Sequence, residues 1–140
     1  MSILAIAGSL RRASKNRAAL LAFKLLSQSP TEVVIDDRMG DLPQFNPDFD
    51  EERFLPSIVR DVRSAVGQAS CLLLACPEYA GGIPGAFKNL LDWLVASAEF
   101  SGKPVALLNT SPRAGHAQAA LRHVLTTMSA QILEEASVSL

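Results

Sequence analysis

What this chain has little of narrows its reading first. Its 13 Lys and Arg face 14 Asp and Glu, for a net charge of −1. There is no excess of one sign to draw in nucleic acid or an anionic membrane surface. Apolar runs stay short: Cys71–Cys76 is strand-sized, far from the roughly 20 residues that a membrane helix needs. There are only two cysteines. Cys71 and Cys76 fall on one strand-like run where they would point to opposite faces and cannot bridge, so a reducing cytoplasm is the expected setting. The two histidines, His116 and His123, share a helical face with no cysteine or carboxylate cluster beside them, and no metal site is expected. A Walker lysine pattern and a Gly-x-Ser-x-Gly nucleophile turn are both missing, which removes support for a non-redox nucleotide module or hydrolase. The first strand-like run begins almost at once, leaving no room for a signal peptide ahead of it.

What remains is an aliphatic, evenly charged sequence of 140 residues, 49% apolar and 19% charged, expected to form one domain over 1–140. Four runs, Ile3–Ala7, Glu32–Asp36, Cys71–Cys76 and Val105–Leu108, show little alternation, as parallel strands covered on both faces do. A fifth candidate, Ile132–Leu140, alternates more, and Ala136–Leu140 is its best part. Between them lie helical patterns at Asn16–Ser27, Ser57–Gln68, Gly85–Ala98 and His116–Ser129. The last carries Ala117, Leu121, Val124, Leu125 and Met128 as one stripe. Such alternation predicts a parallel sheet with helices on both faces and right-handed crossovers. Only Arg38–Leu55, with Gly40, Pro43, Asn46 and Pro47, breaks the rhythm as a long irregular connection. No helical pattern follows the last strand, so the expectation is that a partner subunit covers it or that the chain is truncated there.

The first strand runs into Gly8-Ser9-Leu10-Arg11-Arg12-Ala13-Ser14-Lys15-Asn16 and then into a helix. A helix N-terminus offers free N–H groups and a partial positive charge. Ser9 and Ser14 add hydroxyls, Arg11 a planar fork matched to two phosphate oxygens, and Asn16 either a cap or an amide for the same anion. Ligands of open parallel sheets sit at the carboxyl ends of the strands. Two further loops reach that edge, Pro77-Glu78-Tyr79-Ala80-Gly81-Gly82-Ile83-Pro84-Gly85 and Thr110-Ser111-Pro112-Arg113-Ala114-Gly115-His116. A phosphate cradle beside a Gly-rich wall suits a flat ring system with a phosphate tail.

The pattern Gly8-Ser9-x-Arg11-x-x-Ser14-x-Asn16, followed by Pro77-Glu78-Tyr79-x-x-x-Ile83-Pro84-Gly85-x-x-Lys88-Asn89-x-x-Asp92-Trp93, resembles the NAD(P)H-dependent FMN reductase family. Asp41-Leu42-Pro43 and Asn46-Pro47-Asp48 extend the match through the long loop. The resemblance implies a flavodoxin-like three-layer α/β/α fold with a five-stranded parallel sheet of order 2-1-3-4-5, here without a final helix. It implies FMN as cofactor and NADPH or NADH as electron donor. Ser9, Arg11, Ser14 and Asn16 would hold the phosphate; Pro77, Glu78, Tyr79, Ala80 and Gly81 would lie beside the ring, with Ser111 and Gly115 closing its other side. Hydride would pass through FMN to a small acceptor such as a flavin, quinone, azo compound or metal oxyanion, with no catalytic side chain named, because the cofactor carries the chemistry. A homodimer or homotetramer is also implied, with a small-molecule substrate and neither nucleic acid nor membrane as partner.

Departures and plainer readings stand beside this. Ala80 occupies a position where the family commonly has Asn, and the third loop lacks the family's Gly-Gly pair. The first loop could merely cap a helix. Tyr79 is read as a ring contact, a dimer contact or a packed turn residue. Glu78 is expected to serve a structural or intersubunit salt bridge, His116 either to meet substrate or to cap, and Trp93 to sit in the core or an interface. Cys71 and Cys76 read as small core residues. The competing function is an electron-transfer flavodoxin without NAD(P)H activity, although Arg11 and the near-neutral charge are unlike one.

Overall fold

The computed structural model describes residues 1–140. Strand β1 (Ser2–Ala7) leads through the first loop to helix α1 (Lys15–Leu26), and β2 (Glu32–Asp36) follows. The long connection contains two 3-10 turns, Arg38–Asp41 and Pro47–Phe49, and opens into α2 (Ser57–Gln68). Then come β3 (Cys71–Ala75), α3 (Gly85–Val95), β4 (Pro104–Asn109), α4 (Gly115–Thr127) and two short strands, β5 (Gln131–Ile132) and β6 (Val138–Ser139). All pairings are parallel and the order is β2-β1-β3-β4-β5, with β6 also on β4. The order that the family resemblance implied is therefore the observed one.

The helices begin where the sequence supplies a reason. Ser14 caps α1, its hydroxyl accepting the Arg17 N–H at 3.3 Å, so the cap is Ser14 and Asn16 lies inside the first turn. Pro56 and Pro84 immediately precede α2 and α3 with φ of −57° and −55°, values their rings preset. Helix α2 buries Val59, Val62 and Val66, and α4 buries Ala117, Leu121 and Leu125, each a one-sided stripe. Helix α3 buries far more of its circumference, including Phe87, Leu90, Leu91, Trp93 and Leu94.

The fifth strand departs from its expected continuous form. Gln131 and Ile132 pair with Pro104 and Val105, whereas Val138 and Ser139 pair with Leu108 and Asn109. The chain between Ile132 and Val138 is longer than its partner between Val105 and Leu108, and the surplus coils into a 3-10 turn at Glu134–Ala136. Two adjacent carboxylates favour that exposed excursion, and Arg122 from α4 reaches Glu134. The Leu107 N–H left facing the gap donates to the Ser137 hydroxyl at 3.1 Å, so this donor is not orphaned.

The long connection is stapled to α2 and α3. Asn89, buried in α3, accepts the Phe45 N–H at 2.7 Å and donates to the Pro43 carbonyl at 3.0 Å. The Trp93 indole N–H donates to the same carbonyl at 2.8 Å, and the Phe45 ring meets Trp93 edge-on at 5.0 Å. Arg63 of α2 bonds both the Trp93 carbonyl and Asp50, at 2.7 Å to the carboxylate. Trp93 is therefore a core residue and an anchor. No helix is long and apolar enough to cross a membrane.

Candidate functional site

The loops after β1, β3 and β4 converge on a cleft of about 570 Å³, within the size range of small-molecule sites. Its walls include Ser9, Arg11, Ser14, Lys15 and Asn16 from the first loop, Pro77, Glu78 and Tyr79 from the second, and Thr110, Ser111 and Arg113 from the third. Gly8 lets the first loop turn inward. A Cβ there would lie 2.9 Å from Phe87 and 3.3 Å from Pro77, so a side chain would push the first and second loops apart.

The cleft is cationic and rich in hydroxyls. Arg11, Lys15 and Arg113 make no ion pair, and their charged groups have no side-chain hydrogen bond. Thr110 donates its hydroxyl to the Asn16 side-chain oxygen at 2.9 Å, which leaves the Asn16 NH2 without a protein acceptor. Ser9 and Tyr79 share a hydrogen bond of 2.9 Å across the cleft, and the Arg11 N–H donates to Ser9 at 3.3 Å. Free cations, free donors and the first-turn N–H groups of α1 make an arrangement suited to an anion.

The one acid on the wall is already engaged. Glu78 accepts the Ala117 N–H at 2.9 Å, in the first turn of α4. That helix follows Ala114, which has no side chain able to cap, so Glu78 reaches across from the second loop to do it. Within the chain Glu78 therefore serves as a helix cap rather than in a salt bridge, and His116 is exposed and does not perform the capping. Cys76 is buried just behind this wall. Burial first, and the Glu78 charge second, push its thiol up to about 12. It donates to the Pro77 carbonyl, so it stays a protonated thiol at neutral pH.

The second loop narrows into a tight hairpin. Tyr79 and Gly82 exchange both backbone hydrogen bonds at 3.1 Å, with Ala80 at φ 50° and Gly81 at φ 73° between them. Two positive φ values mark a type I′ turn, which Asn-Gly makes at little cost and Ala-Gly does not. Asn for Ala80, the family's common choice, thus suits the backbone as much as the cofactor. Ala80, Gly81 and Gly115, named from the sequence as ring neighbours, lie outside the cleft walls, at the hairpin tip and the start of α4. The other eight residues named there all line the cleft. Lys15, Thr110 and Arg113 line it too, and sequence reasoning passed over them although they sit in the loops it singled out. Their signal was position at the strand ends.

The chain matches the model of the NADPH-dependent FMN reductase family across residues 1–140. It belongs to that family. Among relatives, it is 35% identical over 115 residues to a 2-hydroxy-1,4-benzoquinone reductase of Burkholderia sp, covering 79% of this chain and 61% of that one. It is 26% identical over 140 residues to the quinone reductase of Escherichia coli (strain K12), covering 96% and 74%. Among solved structures, the flavoenzyme NAD(P)H:(acceptor) oxidoreductase of Paracoccus denitrificans superposes with a TM-score of 0.84 at 28% identity, over 95% of this chain and 75% of that one. The chain thus spans about three-fifths of the Burkholderia relative's length. FMN reductase family members use FMN and NAD(P)H, and the unpaired cations and donors of this cleft fit the phosphate end of FMN.

Proposed function

We propose that this protein is an FMN-dependent reductase that oxidises NAD(P)H and reduces a small acceptor, with quinones as the first class to try. The single observation that carries the reading is the cleft at the carboxyl ends of β1, β3 and β4, where three unpaired cations meet free hydroxyl and amide donors. The relatives named as quinone reductases support the acceptor class. In this reading Ser9, Arg11, Ser14 and Asn16 hold the FMN phosphate, as serine hydroxyls, a guanidinium fork and an unused amide at a helix start would. Pro77, Glu78 and Tyr79, with Ala80 and Gly81 behind them, form one wall for the ring, and Ser111, with Gly115 behind it, the other. When bound, FMN would supply hydride acceptance from NAD(P)H and electron delivery to the acceptor. The residues contribute binding and orientation. Glu78 fixes α4 relative to the second loop and so sets the spacing of the two walls. No side chain is required to move a proton for hydride transfer.

Purified protein should take up FMN in spectrophotometric titration and oxidise NAD(P)H in the presence of a benzoquinone. Arg11→Ala should weaken FMN binding at least tenfold. Failure to bind FMN, or FMN binding without any NAD(P)H oxidation, overturns the reading, and the second outcome describes a flavodoxin. Assembly as a homodimer or homotetramer belongs to the same proposal. Phe49, Phe54 and Tyr79 are half-exposed on the long connection and second loop, which supports it. Light scattering at micromolar concentration tests it, and a monomer refutes it. The cytoplasm is the proposed location, supported by two unpaired thiols.

A further inference from the structure

Behind the first loop lies a second cavity, of about 310 Å³, at the carboxyl ends of β1 and β2. It shares Ser9 and Arg11 with the cleft, so the two spaces are separated by one loop. The FMN reading uses only the cleft side of that loop. On the far side stand Leu10 and Met39 as apolar walls, Arg12, and the carboxylates of Asp36 and Asp37.

The charges do not cancel evenly. Asp37 is held by Arg17 through two hydrogen bonds of 3.0 and 2.6 Å, which keep its carboxyl below the usual carboxylate range. Asp36 is held by Arg38, at 2.5 Å for the shorter contact, and also accepts the Arg38 N–H. Each acid has its own arginine. Arg11 and Arg12 have no acidic partner; Arg11 is shared with the cleft, so Arg12 is the uncommitted guanidinium that this cavity keeps beside an apolar wall. Leu10 is 60% exposed there, a large aliphatic surface with nothing packed over its outer side. A guanidinium fork matches a phosphate bidentately and also stacks on a flat ring. An ionised carboxylate that has accepted one donor per oxygen can still accept a ribose hydroxyl.

We propose that this cavity is the subsite for the 2′-phosphorylated adenosine end of the electron donor, with Arg12 as the residue that selects NADPH over NADH. The proposal rests on the reductase reading above and names a part of it that the cleft does not supply. The adenine lies against Leu10, the 2′-phosphate is bound by Arg12, and Asp37 accepts the neighbouring ribose hydroxyl. The dinucleotide crosses the Ser9–Arg11 wall to bring its other end into the cleft. Selection follows from chemistry: the phosphomonoester gains charge-assisted hydrogen bonds that a 2′-hydroxyl cannot make.

The test compares two small probes that differ only in the 2′-phosphate, adenosine 2′,5′-bisphosphate and adenosine 5′-monophosphate. Each is titrated calorimetrically into FMN-saturated protein at low salt. The expected result is at least threefold tighter binding of the bisphosphate, reduced below threefold in Arg12→Ala, with the FMN affinity of that variant unchanged within twofold. Arg12 is exposed, so the variant is expected to fold, and Arg12→Lys should keep part of the preference because charge remains while the fork is lost. A preference below threefold in the native protein overturns the proposal, as does a preference that survives Arg12→Ala. So does a loss of FMN affinity in Arg12→Ala as large as its loss of bisphosphate affinity, because Arg12 would then belong to the cleft. If the protein takes up no FMN, the reductase reading fails, and the same titration on flavin-free protein still decides whether the cavity reads a 2′-phosphate.

Discussion

The two faces of the sheet are built to different depths. On one face α2, α3 and α4 enclose a cluster of 24 buried apolar residues that includes Trp93, Phe87 and Phe100. On the other, α1 alone covers a cluster of 8, to which it contributes a single buried apolar residue, Leu20. Helix α1 meanwhile leaves Leu25 and Leu26 at 85% and 80% exposure. The candidate site straddles these unequal halves. Its second and third loops lead into α3 and α4 on the deep face, and the first, with its unpaired donors, leads into α1 on the shallow one. The difference teaches where ligand binding should be felt: the shallow side has the least packing of its own and the most to gain from an anion at its helix start.

Unequal packing should show first in truncations. Trp93→Ala should cost about 3–5 kcal/mol, since it empties a fully enclosed site and leaves the Pro43 carbonyl one donor short. Leu20→Ala should cost about 2 kcal/mol, at the low end for its type, because fewer neighbours surround the void. Urea unfolding of both variants checks this; equal losses would erase the contrast between the faces.

Ligand binding sharpens it next. FMN at a hundred times its Kd should add about 2.7 kcal/mol to global stability, and hydrogen exchange should show the largest added protection in α1. Protection confined to α3 and α4 would mean that the anion site is not coupled to the shallow face.

Cys76 probes the junction through pH. Its folded pKa lies above the unfolded thiol value, so the native state holds a proton that the unfolded chain releases as pH rises above that value. Stability should therefore fall between the unfolded thiol pKa and about 12, by at most ~1.4 kcal/mol per pH unit. Subtracting the curve for Cys76→Ala, measured by denaturant midpoints at several pH values, isolates this contribution. Identical slopes for the two proteins would show that burial does not hold the proton.

The smallest effect is local to the Tyr79–Gly82 hairpin. Ala80→Gly relieves a left-handed residue and should raise stability by about 1 kcal/mol, read as a higher melting temperature. Ala80→Asn should do the same to a lesser degree. No gain from either would mean that the turn is not held at positive φ in solution.

Much of this was legible beforehand, for identifiable reasons. Parallel strands buried on both faces leave unbroken aliphatic runs, so β1 to β4 could be placed to within about a residue from pattern alone. The first loop stood out as a candidate anion site because a strand, a glycine, hydroxyls and a helix start in that order have few other uses. The last strand was less legible because its interruption depends on pairing length against β4, which no local pattern encodes. The capping of α4 by Glu78 was not legible because its partner, the Ala117 N–H, lies in another element and carries no sequence signature.

The sequence by itself determined the class of fold and singled out the first loop as a candidate phosphate cradle, since both follow from local periodicity and the chemistry of adjacent residues. Only the tertiary structure decided which charges are free. Arg17 and Arg38 are spent on Asp37 and Asp36, whereas Arg11, Arg12, Lys15 and Arg113 are not. That distinction comes from which side chains the chain crossings bring within hydrogen-bond reach, and it leaves unpaired cations on both sides of the first loop.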